Sequence, residues 1–317
     1  MIKQELDISA ILVELWQKKW IIIVVTAIFA VSSVFYALSV PNTYKSTATL
    51  ASAKSDKSSS LASLAGQFSG LANLAGINLG SGSNIFVIME RIKSKDFVNH
   101  FIKKHDLVIP LFAATGWDPV TKELSYEGQK SYDMEQKKWI RKVNLPLQPE
   151  PSESEIFVKF KKRFSIDMDR KTKIITINWE FLSPQLAHQW LTWYIADFNN
   201  YVRDLDMIKV DNNLGYLYKQ VEKTDVSQLQ SVLFNLIEEQ TKKKMLSEVQ
   251  AEYALTTVDS ASLPLKKNAP RRSIIVIAIT FIGGFLSSVT ILLLFFRRWD
   301  KESKALIESE PAQVSAA

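Results

Sequence analysis

Residues 20–40 read WIIIVVTAIFAVSSVFYALSV, and residues 274–296 read IIVIAITFIGGFLSSVTILLLFF. Neither stretch contains a charged residue, and each is about as long as the roughly 20 apolar residues that a helix needs to cross a bilayer. A secretory signal has a hydrophobic region of only about 7–15 residues, so we interpret the first stretch as an uncleaved anchor. The sequence therefore predicts two transmembrane helices that flank one domain.

The two predicted helices divide the 317 residues into five parts. These are a cytoplasmic N-terminal tail (1–19), transmembrane helix 1 (20–40), a domain outside the cytoplasm (41–273), transmembrane helix 2 (274–296) and a cytoplasmic C-terminal tail (297–317). The orientation follows from the lysines and arginines in the short tails, because long domains cross a membrane largely regardless of their charge. Both termini are therefore expected in the cytoplasm, with the domain between the two helices on the other side of the membrane.

Composition limits the chemistry that the chain can perform. The chain contains no cysteine, which excludes disulfides, thiol catalysis and thiolate metal sites. The absence of thiols also suits an oxidising compartment. The formal net charge of +6 is dispersed, and no basic stripe with interleaved aromatic residues is present. We expect no nucleic-acid partner.

Alternating segments in the central domain predict β-strands. Residues 44–50 alternate in the manner of a strand, directly after the first apolar stretch. Residues 164–168 and 175–179 each place apolar side chains at every second position, and the polar run 169–172 lies between them. This pattern predicts a β-hairpin.

Capped and periodic segments predict helices in the same domain. Residues 84–93 and 95–104 are expected to form two helices, separated near Ser94. Ser152 and Glu155 form a capping-box pattern that opens a short helix to about residue 162. The predicted fold class is an α+β domain with a long extended helical stalk, anchored by two transmembrane helices.

The stalk is predicted from two long helices after the hairpin. Ser183 as N-cap and Pro184 at the first helical position begin the first helix, and a second helix follows the polar break 223–225 and runs to about Val258. Arms of about 35–40 residues would reach roughly 50–60 Å, too far for a compact domain of this size. They are expected to pair with another helix or another subunit. The stalk packing candidates are Leu229, Leu233, Leu236 and Ile237.

The chain carries no clear catalytic signature. The string Asp167-Met168-Asp169 resembles the metal and nucleotide-sugar motif of many glycosyltransferases, but strand alternation places both carboxylates on the solvent face beside a turn. The three histidines show no ligand spacing, and no phosphate-binding loop or nucleophile elbow occurs. We predict that the protein is not an enzyme and has no catalytic residue, no cofactor-binding residue, no cofactor and no metal ligand.

Small residues in the second apolar stretch form two overlapping pairs, Gly283 with Ser287 and Gly284 with Ser288. Such pairs let helix backbones approach closely inside a bilayer. Glycine is also common in spanning helices generally. We predict that these four residues form a transmembrane packing face.

A cluster of cations precedes the same stretch, at Lys266, Lys267, Arg271 and Arg272. It has two interpretations. It can anchor the chain to lipid head groups, or it can meet the phosphates of a lipid-linked substrate, because clustered cations at a membrane surface attract anions.

A near-repeat of small residues follows the first predicted strand, LASLAG at residues 61–66 and LANLAG at residues 71–76. It cannot contribute much to a core. It is interpreted either as a flexible or loosely helical surface segment or as a loop that moves or contacts another subunit.

Several short motifs resemble the Wzz family of bacterial polysaccharide chain-length determinants, also called polysaccharide co-polymerases. They are DIS at 7–9, LWQKKW at 15–20, GLANLAGI at 70–77, IDMDRKTKIITI at 166–177, SPQLA at 183–187, DSASLP at 259–264 and APRR at 269–272. Their order within the two-span frame makes the resemblance specific. The stretch before the second span is less rich in proline than the family pattern.

The resemblance implies a regulator of the chain length of a surface polysaccharide, the O-antigen of lipopolysaccharide or a similar glycan. It implies a bacterial inner-membrane protein whose periplasmic domain (41–273) has an α/β base and a long helical stalk. It also implies a ring-shaped homo-oligomer, such as an octamer. This ring acts in the periplasm with a Wzy-type polymerase on lipid-linked polysaccharide, among membrane lipids. Some relatives carry a cytoplasmic tyrosine kinase. The C-terminal tail here has no nucleotide motif, which favours the kinase-free class.

The sequence leaves three alternative functions open. A periplasmic adaptor of an efflux or secretion system also uses helical hairpins, but usually needs a larger β-rich body. A two-span sensor needs an output domain, for which the tails are short. A membrane glycosyltransferase needs a nucleotide-sugar site, and the sequence shows no motif for one.

Overall fold

The computed structural model describes residue 13 and residues 15–53, 85–126 and 131–309, with the backbone alone for residues 298–309. Its chain divides into two units, one of Met1–Asn42 with Asn268–Ala317 and one of Thr43–Lys267. The near-repeat 61–76, interpreted from the sequence as a surface or subunit-contacting segment, lies outside the described residues.

The fold is a mixture of helices and strands, as the sequence predicted. The described helices are α1 (Lys19–Ser39), α2 (Ile85–Ile92), α3 (Lys95–Lys104), α4 (Val108–Ala113), α5 (Glu153–Lys161), α6 (Pro184–Glu222), α7 (Ser227–Val249) and α8 (Arg272–Ser309). The described strands are β1 (Tyr44–Ser52), β2 (Gly116–Trp117), β3 (Leu124–Ser125), β4 (Tyr132–Asp133), β5 (Lys138–Trp139), β6 (Phe164–Met168), β7 (Ile175–Phe181) and β8 (Leu255–Asp259).

Helices α1 and α8 form the first unit and pack against each other. Each contains a segment long and apolar enough to cross a membrane, Lys19–Ser39 in α1 and Arg272–Arg297 in α8. Most of their apolar side chains are exposed, as expected of helices surrounded by lipid. The predicted pair of candidate membrane-spanning helices is therefore present.

A four-stranded antiparallel sheet organises the second unit, in the order β6-β7-β1-β8. The register of the predicted hairpin pairs Phe164 with Trp179 and Met168 with Ile175. Strand β1 lies inside the sheet, with Tyr44 opposite Phe181 on one side and Ser52 opposite Leu255 on the other.

Aromatic side chains fill the space between this sheet and the helices that cover it. Trp179 of β7 is fully buried and contacts Phe101 of α3, Phe160 of α5 and Tyr194 of α6, with ring centroids 5.1–5.8 Å apart. The hydroxyl of Tyr194 donates a hydrogen bond to the carbonyl oxygen of Ile92. Edge and tilted contacts of this kind add to the hydrophobic free energy of burial.

N-cap residues in the sequence predicted the starts of several helices correctly. The Ser183 hydroxyl accepts a hydrogen bond from the Leu186 amide at the start of α6, with Pro184 in the first turn. Ser152 and Glu155 form the predicted capping box at the start of α5. At the start of α3 the Ser94 hydroxyl accepts a hydrogen bond from the Phe97 amide.

The prediction that the second long helix runs to about Val258 was wrong. Helix α7 ends at Val249, and the chain then joins the sheet as β8. The side chain of Asn199 in α6 explains the change of direction. Its Oδ1 accepts hydrogen bonds from the amides of Ala254 and Leu255, both 2.8 Å long, and its Nδ2 donates to the Leu255 carbonyl.

The first long helix was predicted to stand away from the domain along its whole length, but only its C-terminal half does so. The N-terminal half of α6 packs on β1 and β7 and supplies the buried residues Trp190, Tyr194 and Phe198. Its C-terminal half leaves the sheet and pairs with α7. Only this part, together with the 23 residues of α7, forms a helical hairpin outside the sheet.

Candidate interaction surfaces

The small residues of α8 face α1 within the same chain. A Cβ atom built on Gly283 would lie 2.5 Å from Cγ of Phe29, and one built on Gly284 would lie 3.4 Å from Oγ1 of Thr26. Ser287 is buried, and its hydroxyl donates to the Gly284 carbonyl, as does that of Ser288. Of the two glycines, Gly283 is therefore the one at which an added side chain would collide with α1.

The basic cluster divides between the two units. Lys266 and Lys267 are exposed at the end of the sheet-containing unit, while Arg271 and Arg272 belong to the helical unit. Arg271 is exposed, and Nη2 of Arg272 donates a 3.2 Å hydrogen bond to Oδ1 of Asn42. At least three of these cations are thus directed to the surroundings of the protein.

The helical hairpin has a narrow buried seam. Val210 and Leu217 of α6 and Ile237 of α7 are buried between the two helices. Nζ of Lys244 lies 2.7 Å from Oδ1 of Asp211, across the hairpin. The hydrogen bond that Lys244 donates to this carboxylate raises the pKa of Lys244 above its usual value.

The rest of the hairpin exposes many apolar side chains. Among the predicted stalk candidates, Leu229 is 49% exposed, Leu233 and Leu236 are half-buried, and Ile237 is buried. Other exposed apolar residues of the hairpin are Ile208, Tyr216, Tyr218, Val226, Val232, Phe234, Met245, Leu246 and Val249. Soluble surfaces rarely leave so many large apolar residues together without a partner.

The acidic string Asp167-Met168-Asp169 lies at the end of β6, where the chain turns towards β7. Both Asp167 and Asp169 are exposed. Oδ1 of Asp169 accepts hydrogen bonds from the amides of Lys171 and Thr172, and these bonds lower the pKa of Asp169. In the described part of the chain, no three His, Cys, Asp or Glu side chains are grouped so that they could hold a metal ion.

Sequence reasoning missed a cluster around Asp197, which is nearly buried in α6. Nε2 of His105 lies 2.6 Å from Asp197 Oδ2, and Nζ of Lys104 lies 2.7 Å from Asp197 Oδ1. The His105 ring stacks on the ring of Trp193, with 4.5 Å between centroids and 12° between planes. No local pattern could reveal this cluster, because its members lie about ninety residues apart in the chain.

The N-terminal third of the chain resembles a known protein family. Residues 4–105 match the family Wzz, described as chain length determinant protein. The predicted Wzz resemblance is confirmed. The Wzz-matching segment includes α1, β1, α2 and α3, and it ends at His105, the histidine of the Asp197 cluster.

Among the solved structures that resemble this chain are two that differ widely from it in sequence. One is a full-length bacterial polysaccharide co-polymerase, 13% identical, with a TM-score of 0.38 over 92% of this chain and 98% of that one. The other is a fragment of WzzB, a polysaccharide co-polymerase from Salmonella Typhimurium, 15% identical, with a TM-score of 0.30 over 72% of this chain and all of that one. No protein in the curated comparison matches this chain.

Proposed function

We propose that this protein regulates the chain length of a bacterial surface polysaccharide, the O-antigen of lipopolysaccharide or a similar glycan, without catalysing its polymerisation. The observation that carries the proposal is the match of residues 4–105 to the chain-length determinant family. The two candidate membrane-spanning helices and the long helical hairpin are consistent with it.

The proposed location is the inner membrane. The short basic tails are retained in the cytoplasm, and the sheet-containing domain crosses to the periplasm, because the positive-inside rule acts on short segments. In this arrangement the protein works on the side of the membrane where lipid-linked glycan is polymerised.

The proposed working form is a closed homo-oligomeric ring. The exposed apolar side chains of the α6–α7 hairpin support this proposal, because burying them against a second copy removes apolar surface from water. Repeated head-to-tail contacts form a ring where the rotation closes and a filament where it does not.

The proposed partners are a Wzy-type polymerase, lipid-linked polysaccharide and membrane lipids. The exposed cations Lys266, Lys267 and Arg271 suit the anionic groups of lipids or of a lipid-linked substrate. Such contacts would hold the regulator beside the growing glycan.

The test is the glycan ladder of cells with and without the gene. We expect deletion to leave polymer but to abolish its preferred length, and the wild-type gene to restore that length. A ladder that deletion does not change would contradict the proposal.

The same cells test the absence of catalysis. The double variant Asp167→Ala/Asp169→Ala should restore the preferred length, because both carboxylates are exposed beside a turn, where substitutions usually cost within about 0.5 kcal/mol of stability. A well-expressed double variant without any polymer would favour an enzyme instead.

A further inference from the structure

A shallow groove runs along the first turns of α6, beside the segment that follows β8. Its volume is about 450 Å³, within the roughly 300–1,000 Å³ of small-ligand sites. The residues that line it are Gln185, His188, Gln189, Thr192, Trp193 and Leu263. All of them belong to the sheet-containing unit.

The aromatic wall of this groove is held in a fixed orientation. His105 stacks almost parallel on the Trp193 ring. His105 in turn contacts one oxygen of Asp197, whose other oxygen pairs with Lys104. The imidazole covers one face of the indole, and the remainder of the partly exposed Trp193 side chain is available to the groove. A ligand that stacks there meets a side chain already ordered, which lowers the entropic cost of binding.

The polar groups around Trp193 are uncharged donors and acceptors. Gln185, Gln189 and Thr192 are exposed. The Thr192 hydroxyl donates to the His188 carbonyl, which leaves its oxygen free to accept. None of the lining residues is a carboxylic acid, a lysine or an arginine.

His188 adds a further oriented group. Its Nδ1 is buried and has no hydrogen-bond partner among the described residues. A neutral imidazole has one N–H donor and one acceptor nitrogen, so the His188 ring brings hydrogen-bonding capacity to the groove.

We propose that this groove binds a pyranose ring of a polysaccharide. A pyranose has a face of C–H groups, which stacks on an aromatic ring, and a rim of hydroxyls that both donate and accept hydrogen bonds. The combination of one ordered indole with neutral amides, a hydroxyl and an imidazole matches both features. The lack of cationic side chains disfavours a phosphate or a nucleotide as the ligand. The source of the glycan rests on the proposed function.

The test is saturation-transfer NMR with the full-length protein in detergent. The probe is the polysaccharide released by mild acid from the surface of the cell that expresses the protein. We expect transfer from the wild-type protein, and weakening of binding on the order of tenfold in Trp193→Leu. Gln189→Ala should also weaken binding, because it removes an exposed amide of the groove. Tyr216→Leu, a change of an exposed aromatic residue on the hairpin, should bind as the wild type does.

Each outcome decides the inference. Loss of binding in both groove variants, with unaffected binding in Tyr216→Leu, supports the groove as a sugar site. Circular dichroism shows whether Trp193→Leu is misfolded. If it is, the binding of Gln189→Ala decides whether the groove holds the sugar. No transfer from the wild type, or full binding by both groove variants, would overturn the groove as a sugar site. The gene-deletion ladder is a separate readout, so an unchanged ladder together with groove-dependent binding would reject the length-control function and retain the sugar site.

Discussion

Asn199 joins α6 to β8 with a single buried side chain that makes three hydrogen bonds to the backbone. Truncation in Asn199→Ala leaves buried amides of Ala254 and Leu255 without this acceptor. We expect the free energy of unfolding to fall by about 2–4 kcal/mol, because unsatisfied buried groups cost about 1–3 kcal/mol each. Thermal unfolding followed by circular dichroism measures this loss. The neighbouring change Asn200→Ala is the control, and equal stability of the two variants would contradict the role of Asn199.

Gly283 is the residue on which close approach of the two candidate membrane helices depends. In Gly283→Leu the new side chain meets Phe29, so the helices must separate locally. The pair Thr26→Cys/Gly284→Cys reports the separation, because the chain has no other cysteine and these positions are in contact. We expect less oxidative cross-linking in the Gly283→Leu background.

The control for this experiment is Leu286→Val, a small change at an exposed position of the same helix. It should leave the cross-linking yield unchanged. A normal yield with leucine at position 283 would mean that the helices do not pack through this face in the membrane.

Hydrogen bonds to the Glu155 carboxylate make the stability of the fold depend on pH. The hydrogen bond from Arg141 and those from Ser152 lower the pKa of Glu155 to about 2. Because the folded-state pKa lies below its usual value of 4.5, the carboxylate stabilises the fold above pH 4.5. This contribution is lost as the pH falls from 4.5 towards 2.

We therefore expect Glu155→Gln to lower the melting temperature at pH 7 and to differ little from the wild type near pH 2. Glu135→Gln, an exposed acid in a turn, serves as the control and should melt as the wild type does at pH 7. A difference between Glu155→Gln and wild type that is the same at both pH values would show that charge is not the cause.

At the scale of elements, the α6–α7 hairpin has buried residues that stabilise the fold and exposed residues that are available for contact with another subunit. Ile237 is buried in its seam, whereas Leu229 is largely exposed. We expect Ile237→Ala to cost about 2–5 kcal/mol of stability, as for other buried aliphatic residues. Leu229→Asp should leave the melting temperature nearly unchanged but reduce the size of the oligomer, measured by light scattering in mild detergent. An oligomer of unchanged size in Leu229→Asp would show that the exposed face is not the subunit contact.

Helices and strands that depend on local sequence signals were predicted correctly. Alternation predicted the β6–β7 hairpin, and the Ser152, Ser183 and Pro184 signals predicted the starts of α5 and α6. Their physical causes lie within a few residues of one another, so they can be read without the fold.

Features that depend on distant partners were not predicted. Helix α7 was extended through β8, because the competing hydrogen bonds come from Asn199, about fifty residues away. The groove was missed for the same reason, since the stacking partner of Trp193 comes from α3's C-terminal end. The small residues of α8 were recognised, but only the structure distinguishes Gly283 from Gly284.

At the scale of the whole molecule, topology is the property to measure. Single cysteines at Val120, which is 88% exposed in the sheet-containing unit, and at Ser303 place one thiol on each side of the membrane in the proposed arrangement. An impermeant thiol reagent should label intact inner-membrane spheroplasts at position 120 and not at position 303. The reverse pattern would invert the orientation. Labelling of both positions after lysis controls for access to each thiol.

The pairing of β1 with β8 determines when this domain can finish folding during synthesis. Strand β1 is among the first parts of the domain to leave the ribosome, and its partner Leu255 follows about two hundred residues later. Until then one edge of β1 stays open, and an open edge can recruit strands from other chains. A nascent chain stalled before β8 is thus an aggregation hazard, and the cell must protect it until the last strand has been made.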